Sequence, residues 1–401
     1  MSEYKTIWSV GGGKGGVGKS VATANIGCAL AQRGKEVILV DADLGGANLH
    51  TYFGIKYPSK GLEDFLKGRV ASLEDAAIET PVKTLRLISG AGEFLGIANP
   101  AFTQKQKLIS HIKKLNAEYI IVDLGAGSSY NVLDFFSISN EGIVVLVPEP
   151  AAIQNAYIFL KSFVYRRLQR VFSENALITD IIKEATDLRS PKSVKTFSDL
   201  CERISREDRR SAERALSEIK SYRPKILLNM ASSPEDIKVV EAFKGAASTF
   251  LSLDTDFIGT IYSRGAIKAA ARKMRPFMLE DTAFDARRDM DEVINNLIGS
   301  TPEPSPEAII EEPAGEQDVF GFNDNVSHMG TVLHVQTEVQ GGPNPSIETI
   351  IYQGGRIFFS KKVLWREIAK DNGQLTIKDF ATKQHRTAIA AIKMNKITLQ
   401  G

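Results

Sequence analysis

The sequence predicts an α/β fold: a mostly parallel sheet flanked by helices, with a small α+β domain after it. Three observations carry the prediction. A glycine-rich run at residues 11–20 (Gly-Gly-Gly-Lys-Gly-Gly-Val-Gly-Lys-Ser) separates a short apolar run from a stretch rich in Ala, Leu and Ile. Apolar runs of strand length recur through the first 260 residues, and two of them end in aspartate. Near residue 300 the composition turns to Pro and Glu, and a shorter segment with β patterning follows.

The whole chain sets bounds on function. Its 401 residues suffice for about two to three domains. A hydrophobic fraction of 43% and a charged fraction of 24% are ordinary for a globular protein, and a net charge of +2 neither demands nor excludes a nucleic-acid partner. Cys28 and Cys201 make no metal or disulfide spacing, which suits a reducing compartment. No apolar run is long enough to span a bilayer, and no signal-peptide pattern precedes the first strand. The expected location is the cytoplasm, or the periphery of a membrane or cell pole.

Residues 6–10 read as the first buried strand. Residues 13–20 then fit the phosphate-loop pattern G-x-x-x-x-G-K-[ST]. The backbone N–H groups of Gly13, Gly15, Gly16, Val17 and Gly18 are expected to face an anion at the positive end of the following helix. Lys19 reaches the β- and γ-phosphates, and the Ser20 hydroxyl sits on Mg²⁺. The helix covers residues 21–32, with Gly34 placed to close it. Residues 36–40 form a second strand, followed by Asp41 and Asp43. In open α/β sheets ligands bind beyond the carboxyl ends of strands, so these acids either line a metal site or cap a loop.

Residues 85–90 read as another strand, and 105–115 as an amphipathic helix with lysines outward. Residues 119–122 are apolar and feed Asp123, a Walker B pattern whose carboxylate binds Mg²⁺ directly or through water. Gly125 lets the backbone approach the γ-phosphate. Residues 142–147 form the next strand and 153–160 a helix. Over 161–225 arginines accumulate at helical spacing (Arg166, Arg167, Arg170, Arg203, Arg206, Arg209, Arg210, Arg214). This segment reads as a helical insertion, offering either a docking face for an acidic partner, nonspecific DNA or anionic membrane, or simply a solvated surface. Residues 224–230 are a strand carrying Asn229, residues 257–262 the last strand, and 266–275 and 281–298 helices.

Domain 1–299 is followed by a Pro/Glu-rich linker at 300–328 and a small β-rich adaptor domain at 329–401. There, 332–339 is a strand, 347–352 and 356–360 flank a Gln-Gly-Gly turn, and 376–394 is a closing helix. His334 and His385 are taken as structural or surface residues.

The residues of the glycine-rich loop also carry a resemblance. Lys14 begins the run Lys-Gly-Gly-Val-Gly-Lys-Ser, which resembles the deviant Walker A motif of the ParA/MinD family of P-loop ATPases. Val-Asp-Ala-Asp-Leu-Gly-Gly-Ala-Asn-Leu, from Val40, is similar to that family's switch I. Asp-Leu-Gly-Ala-Gly, from Asp123, is similar to switch II of its MinD/FlhG-like branch. The resemblance covers roughly residues 5–298. It implies ATP and Mg²⁺ as ligands, and a homodimer in which Lys14 crosses the interface to the other copy's nucleotide. It further implies that Asp43 orients the attacking water, that Asp41 supports the metal site and that Asn229 hydrogen-bonds adenine. Where relatives carry Pro and Asp in the base-contacting loop, this chain has Tyr262 and Ser263.

The implied function is an ATP-dependent dimerising switch with Mg²⁺-dependent hydrolysis. It would position a division site, flagella or other polar machinery through protein partners bound by the C-terminal domain or the insertion. The alternative is a nucleoid-associated DNA partition ATPase. A metabolic ligase or reductase of the same class is disfavoured, since no Cys follows Gly330 and the two cysteines form no paired motif.

Overall fold

The structure is a computed structural model and describes residues 5–90, 102–186, 190–299, 321–328, 331–340, 345–353, 356–365 and 376–394. The chain divides into two compact units: residues 1–95 with 109–301, and residues 96–108 with 302–401.

The first unit is built on β1 (Thr6–Gly11), β2 (Val37–Asp41), β3 (Ile78–Glu79), β4 (Leu85–Ile88), β5 (Tyr119–Asp123), β6 (Ile143–Leu146), β7 (Lys225–Ala231) and β8 (Asp256–Tyr262). They form one sheet in the order β3-β4-β2-β5-β1-β6-β7-β8. All neighbours are parallel except the short β3, which runs antiparallel to β4. The strands are continuous apolar runs because helices cover both faces; every residue of β2 and β5 is buried. Register places the chemistry at one edge. Asp41 pairs with Asp123, and Val10, just before the glycine-rich loop, pairs with both Asp123 and Ile143.

The helices of this unit are α1 (Lys19–Gln32), α2 (Leu62–Leu66), α3 (Phe102–Ile112), α4 (Tyr130–Phe136), α5 (Pro150–Val171), α6 (Ala176–Thr186), α7 (Phe197–Glu207), α8 (Arg209–Lys220), α9 (Ile237–Leu251), α10 (Gly265–Arg272) and α11 (Phe284–Gly299), with residues 102–108 of α3 falling in the second unit. α1 is buried along nearly its whole length. It lies so close to β2 that a Cβ on Gly27 would come 2.8 Å from Leu39. It ends where Gly34, at φ 78°, donates its N–H to the Ala31 carbonyl.

Three expectations are corrected. The helix expected to end at residue 160 runs to Val171, because Phe163, Val164 and Leu168 continue its buried face. Arg166, Arg167 and Arg170 therefore belong to α5, and the inserted helices proper are α6–α8. Lys105, expected on the outer face of its helix, is 1% exposed, with its ammonium 3.9 Å from Glu338 within the second unit. Residues 321–328, assigned to the linker, form β9 (Gly321–His328) of the second unit.

In that unit β9 is followed by β10 (Thr331–Gln340), β11 (Ser346–Gln353), β12 (Arg356–Leu364) and α12 (Ile377–Lys393). The strands make an antiparallel meander ordered β12-β11-β10-β9. α12 starts on a capping box between Thr376 and Asp379 and buries Ala388 and Ile392 against Val326, Leu333, Val335 and Ile351. His385 is buried at this junction. Its Nδ1 is 2.9 Å from Thr337 Oγ1 and its Nε2 2.9 Å from Asp324 Oδ2. Thr337 in turn meets Thr349 at 2.6 Å, and Gln384 donates to Thr349 Oγ1 at 3.0 Å. His334 is bound to Asn325. Residues 300–320 of the linker and the turns at 341–344 and 354–355 lie outside the described residues.

Candidate functional site

The glycine-rich loop joins the end of β1 to the start of α1. Gly16 and Gly18 have φ of 81° and 89°, conformations that side chains other than glycine's strongly disfavour. Close approach adds a second constraint. A Cβ on Gly13 would lie 1.9 Å from the Asn155 carbonyl oxygen of α5, and one on Gly18 would lie 2.3 Å from Asn229 Nδ2. Asn229 donates from that nitrogen to the Val17 carbonyl at 2.8 Å. In this structure its amide braces the loop, although the resemblance places it on adenine.

The two loop lysines have opposite surroundings. Lys19 is 8% exposed and leans back over the loop, its Nζ 3.4 Å from the Lys14 carbonyl. Burial lowers its pKa, and the negative charges of Asp123 and Asp43 oppose that shift. Lys14 points out of the loop, and its Nζ is 3.1 Å from Oε2 of Glu149, just before α5; the two side chains are 41% and 62% exposed.

Register brings the three strand-end acids together. The Asp41 carboxylate is buried and accepts two backbone N–H groups, from Asp43 at 3.2 Å and Leu49 at 3.0 Å. It thereby holds the 41–49 loop in place. Burial and the nearby Asp123 charge push its pKa up to about 8. Asp123 is raised to about 6, chiefly by burial, against hydrogen bonds from Ser20 and Thr23 and the charge of Lys19. The Thr23 hydroxyl donates to Asp123 Oδ1 at 3.2 Å. Asp43 lies against the next loop, since a Cβ on Gly125 would come 2.9 Å from its Oδ1. The segments after β2 and β5 thus touch through a carboxylate and a glycine.

Every loop residue singled out from the sequence, together with Asp41, Asp43, Asp123 and Asn229, falls at this one edge of the sheet. Two residues outside the predicted site set join them. Thr23 stands three positions after Ser20, on the same helix face, and that spacing is the signal that could have found it. Glu149 lies in the Val-Pro-Glu-Pro run after β6, which resembles the family segment beside the nucleotide and the dimer face. The buried, mutually repelling carboxylates and the Ser20 hydroxyl are hard oxygen donors suited to Mg²⁺. Among the described residues no group of three or more His, Cys, Asp or Glu forms a closed cage. Mg²⁺ beside phosphate needs none, because one or two protein oxygens suffice.

Known proteins resemble much of the first unit. The family described as the CobQ/CobB/MinD/ParA nucleotide binding domain matches residues 8–283. The antiactivator FleN of Pseudomonas aeruginosa is 34% identical over 157 residues, 39% of this chain and 55% of its own length. The flagellum site-determining protein YlxH of Helicobacter pylori is 34% identical over 160 residues, 37% of this chain and 50% of its own. The chain therefore spans about half the length of these curated relatives. Among solved structures, the MinC:MinD cell division protein complex of Aquifex aeolicus aligns at a TM-score of 0.50 and 22% identity, over 75% of this chain and 98% of that one. That likeness concerns the fold alone.

Proposed function

The chain belongs to the CobQ/CobB/MinD/ParA nucleotide-binding family, and from that premise we propose that it is an ATP-dependent dimerising switch. One observation carries the reading: of the two loop lysines, Lys19 is buried among the acids while Lys14 stands outside its own site, paired to an exposed glutamate. A cation so placed is available to a second copy. Mg²⁺, bound with ATP, supplies neutralisation of phosphate charge. Ser20 and Asp123 would hold it, and Asp41 serves as the anchor of the loop that carries Asp43. Asp43 orients the attacking water against Gly125, and Lys19 offsets charge on the β- and γ-phosphates. Asn229 contributes to nucleotide affinity through the loop carbonyl it braces, beside the base. A cation supplied in trans is worth on the order of a thousandfold in rate, by analogy with arginine fingers.

The output of such a switch is a change of partner or place. The similarity to the flagellum site-determining protein YlxH supports positioning of flagella or a related polar machine through protein partners. The reading as a DNA partition ATPase is weakened by the pairing of arginines along this stretch: Arg166, Arg167 and Arg170 of α5, and Arg203 and Arg209 of the insertion, contact acids of the same unit. ATP-dependent binding to nonspecific DNA, lost at high salt, would restore that reading. The deciding experiment is sizing chromatography with ATP and Mg²⁺. Asp43→Ala is expected to run as a trapped dimer and Lys14→Ala as a monomer that still binds ATP. A Lys14→Ala protein that dimerises normally would refute the proposal.

A further inference from the structure

The short helix α4 begins three residues after Gly127 and carries one carboxylate, Asp134, into a fully buried position. Its neighbours Leu133, Phe135 and Phe136 are buried too. A carboxylate there requires a partner, and α5 supplies it. Arg166 holds both oxygens, Nε to Oδ1 at 3.0 Å and Nη2 to Oδ2 at 3.1 Å. Arg170, one turn on, reaches Oδ1 at 3.5 Å. The Arg166 guanidinium also stacks on Tyr130, 3.8 Å from its ring centre. Residues 130 and 134 of α4 thus clasp residues 166 and 170 of α5, both pairs at helical spacing.

Two further contacts give the clasp a direction. The N-cap of α4 is Ser129, so the position of α4 sets where the Gly125–Gly127 segment ends, and Gly125 has no slack against Asp43. On the next residue of α5, Arg167 pairs with Glu218 of α8 and covers the Tyr222 ring at 5.2 Å. One turn of α5 therefore grips both the helix after the Asp123 loop and the last inserted helix. We propose that Asp134 and Arg166 are positioning residues for ATP hydrolysis, and that Arg167–Glu218 makes the α6–α8 insertion an input to it. This rests on the ATPase reading above. An apolar contact would hold α4 as firmly, but a two-oxygen ion pair also fixes its orientation.

The test uses the full chain with ATP and Mg²⁺. Asp134→Asn and Arg166→Lys are expected to lower kcat about tenfold and threefold respectively, with ATP affinity within about twofold of the parent. Loss of affinity in step with kcat, or an unchanged kcat in a folded variant, would overturn the positioning role. Arg167→Gln, on a pair whose side chains are 16% and 21% exposed, is the milder change and is expected to fold even if the buried variants do not. It should change kcat by about two- to threefold at constant affinity, and no change removes the insertion from the circuit. Hydrogen exchange with ATP bound separates the two layers of argument. If the parent binds ATP without hydrolysing it, the ATPase reading fails, and the clasp is judged by exchange across residues 125–133. Faster exchange in Asp134→Asn or Arg167→Gln supports it and unchanged exchange overturns it.

Discussion

The two units each bury a cluster of polar groups, and the clusters differ in what completes them. In the first unit, Asp41 and Asp123 lie side by side at the sheet edge with raised pKa values. Their charge is offset in part by Lys19 and by hydroxyl and backbone donors. In the second unit, Thr337, Thr349, Gln384, His385 and Asp324 form a continuous chain of short contacts. The second cluster closes on itself apart from Gln384 Oε1, which has no hydrogen-bond partner among the described residues, and it holds a helix on a sheet. The first is electrostatically unfinished, and on the proposed reading Mg²⁺ bound with nucleotide would complete it. Buried polar groups are costly unless satisfied, so an imbalance retained at the end of two strands marks a site, while a balanced one marks architecture.

The strongest way to break this comparison is Lys19→Ala. It removes a cation from the open cluster and charge-assisted hydrogen bonds to two phosphates, each worth about 1.5–3 kcal/mol. ATP affinity should fall at least about a hundredfold, with the second unit unaffected. An unchanged affinity in equilibrium titration would sink the site.

The next effect is a difference in pH response. Asp41 and Asp123 have folded pKa values raised above the unfolded 3.8, so the folded chain holds protons that the unfolded chain has released. Without ligand, the first unit should lose stability as pH rises, up to about 8. Between 6.5 and 8 the Asp41 shift leads, with the tail of Asp123; the lowered pKa of buried His50 pulls the other way only below 6.5, and that of Lys19 opposes the slope where the lysine gives up its proton. Mg²⁺ and ATP should flatten the slope. In the second unit burial lowers the His385 pKa despite the Asp324 carboxylate, and His334 shifts the same way. Its stability should be flat above 6.5 and fall as the unfolded chain takes up protons below that. Each unit has one tryptophan, Trp8 and Trp365, so denaturant titrations of the Trp8→Phe and Trp365→Phe variants read the units separately. Slopes of the same sign would erase the distinction.

The open cluster was legible in the sequence and the closed one was not, for a physical reason. Phosphate binding needs a loop of fixed length, and the parallel sheet puts its acids at strand ends, so both leave local patterns at Gly13–Ser20, Asp41 and Asp123. The Thr337–His385 chain joins residues 48 positions apart through tertiary packing, and the same holds for Asp134 and Arg166 over 32 positions. Strand β9 (Gly-Phe-Asn-Asp-Asn-Val-Ser-His) shows weak apolar patterning because it is an edge strand held by backbone pairing to β10, with Val326 in the core and Phe322 partly buried beside it. α5 reads as ending early because its arginines look solvated. Their partners, Asp134 and Glu218, come from elsewhere in the chain.

The smallest expected effect concerns the rim of the open cluster. Lys14 and Glu149 are both substantially exposed, and an ion pair of that kind contributes no more than about 1 kcal/mol. If Lys14 must leave Glu149 to serve a second copy, Glu149→Gln releases it. ATP-dependent dimerisation should then occur at up to about fivefold lower protein concentration. The gain should vanish in high salt, where an exposed pair is already screened, and it should be absent in the Lys14→Ala background. A gain that survives both conditions would mean that Glu149 acts on the interface by itself rather than by holding the lysine. No gain at low salt would mean that the pair does not restrain Lys14 at all, and the cluster would then be open at its rim as well as at its centre.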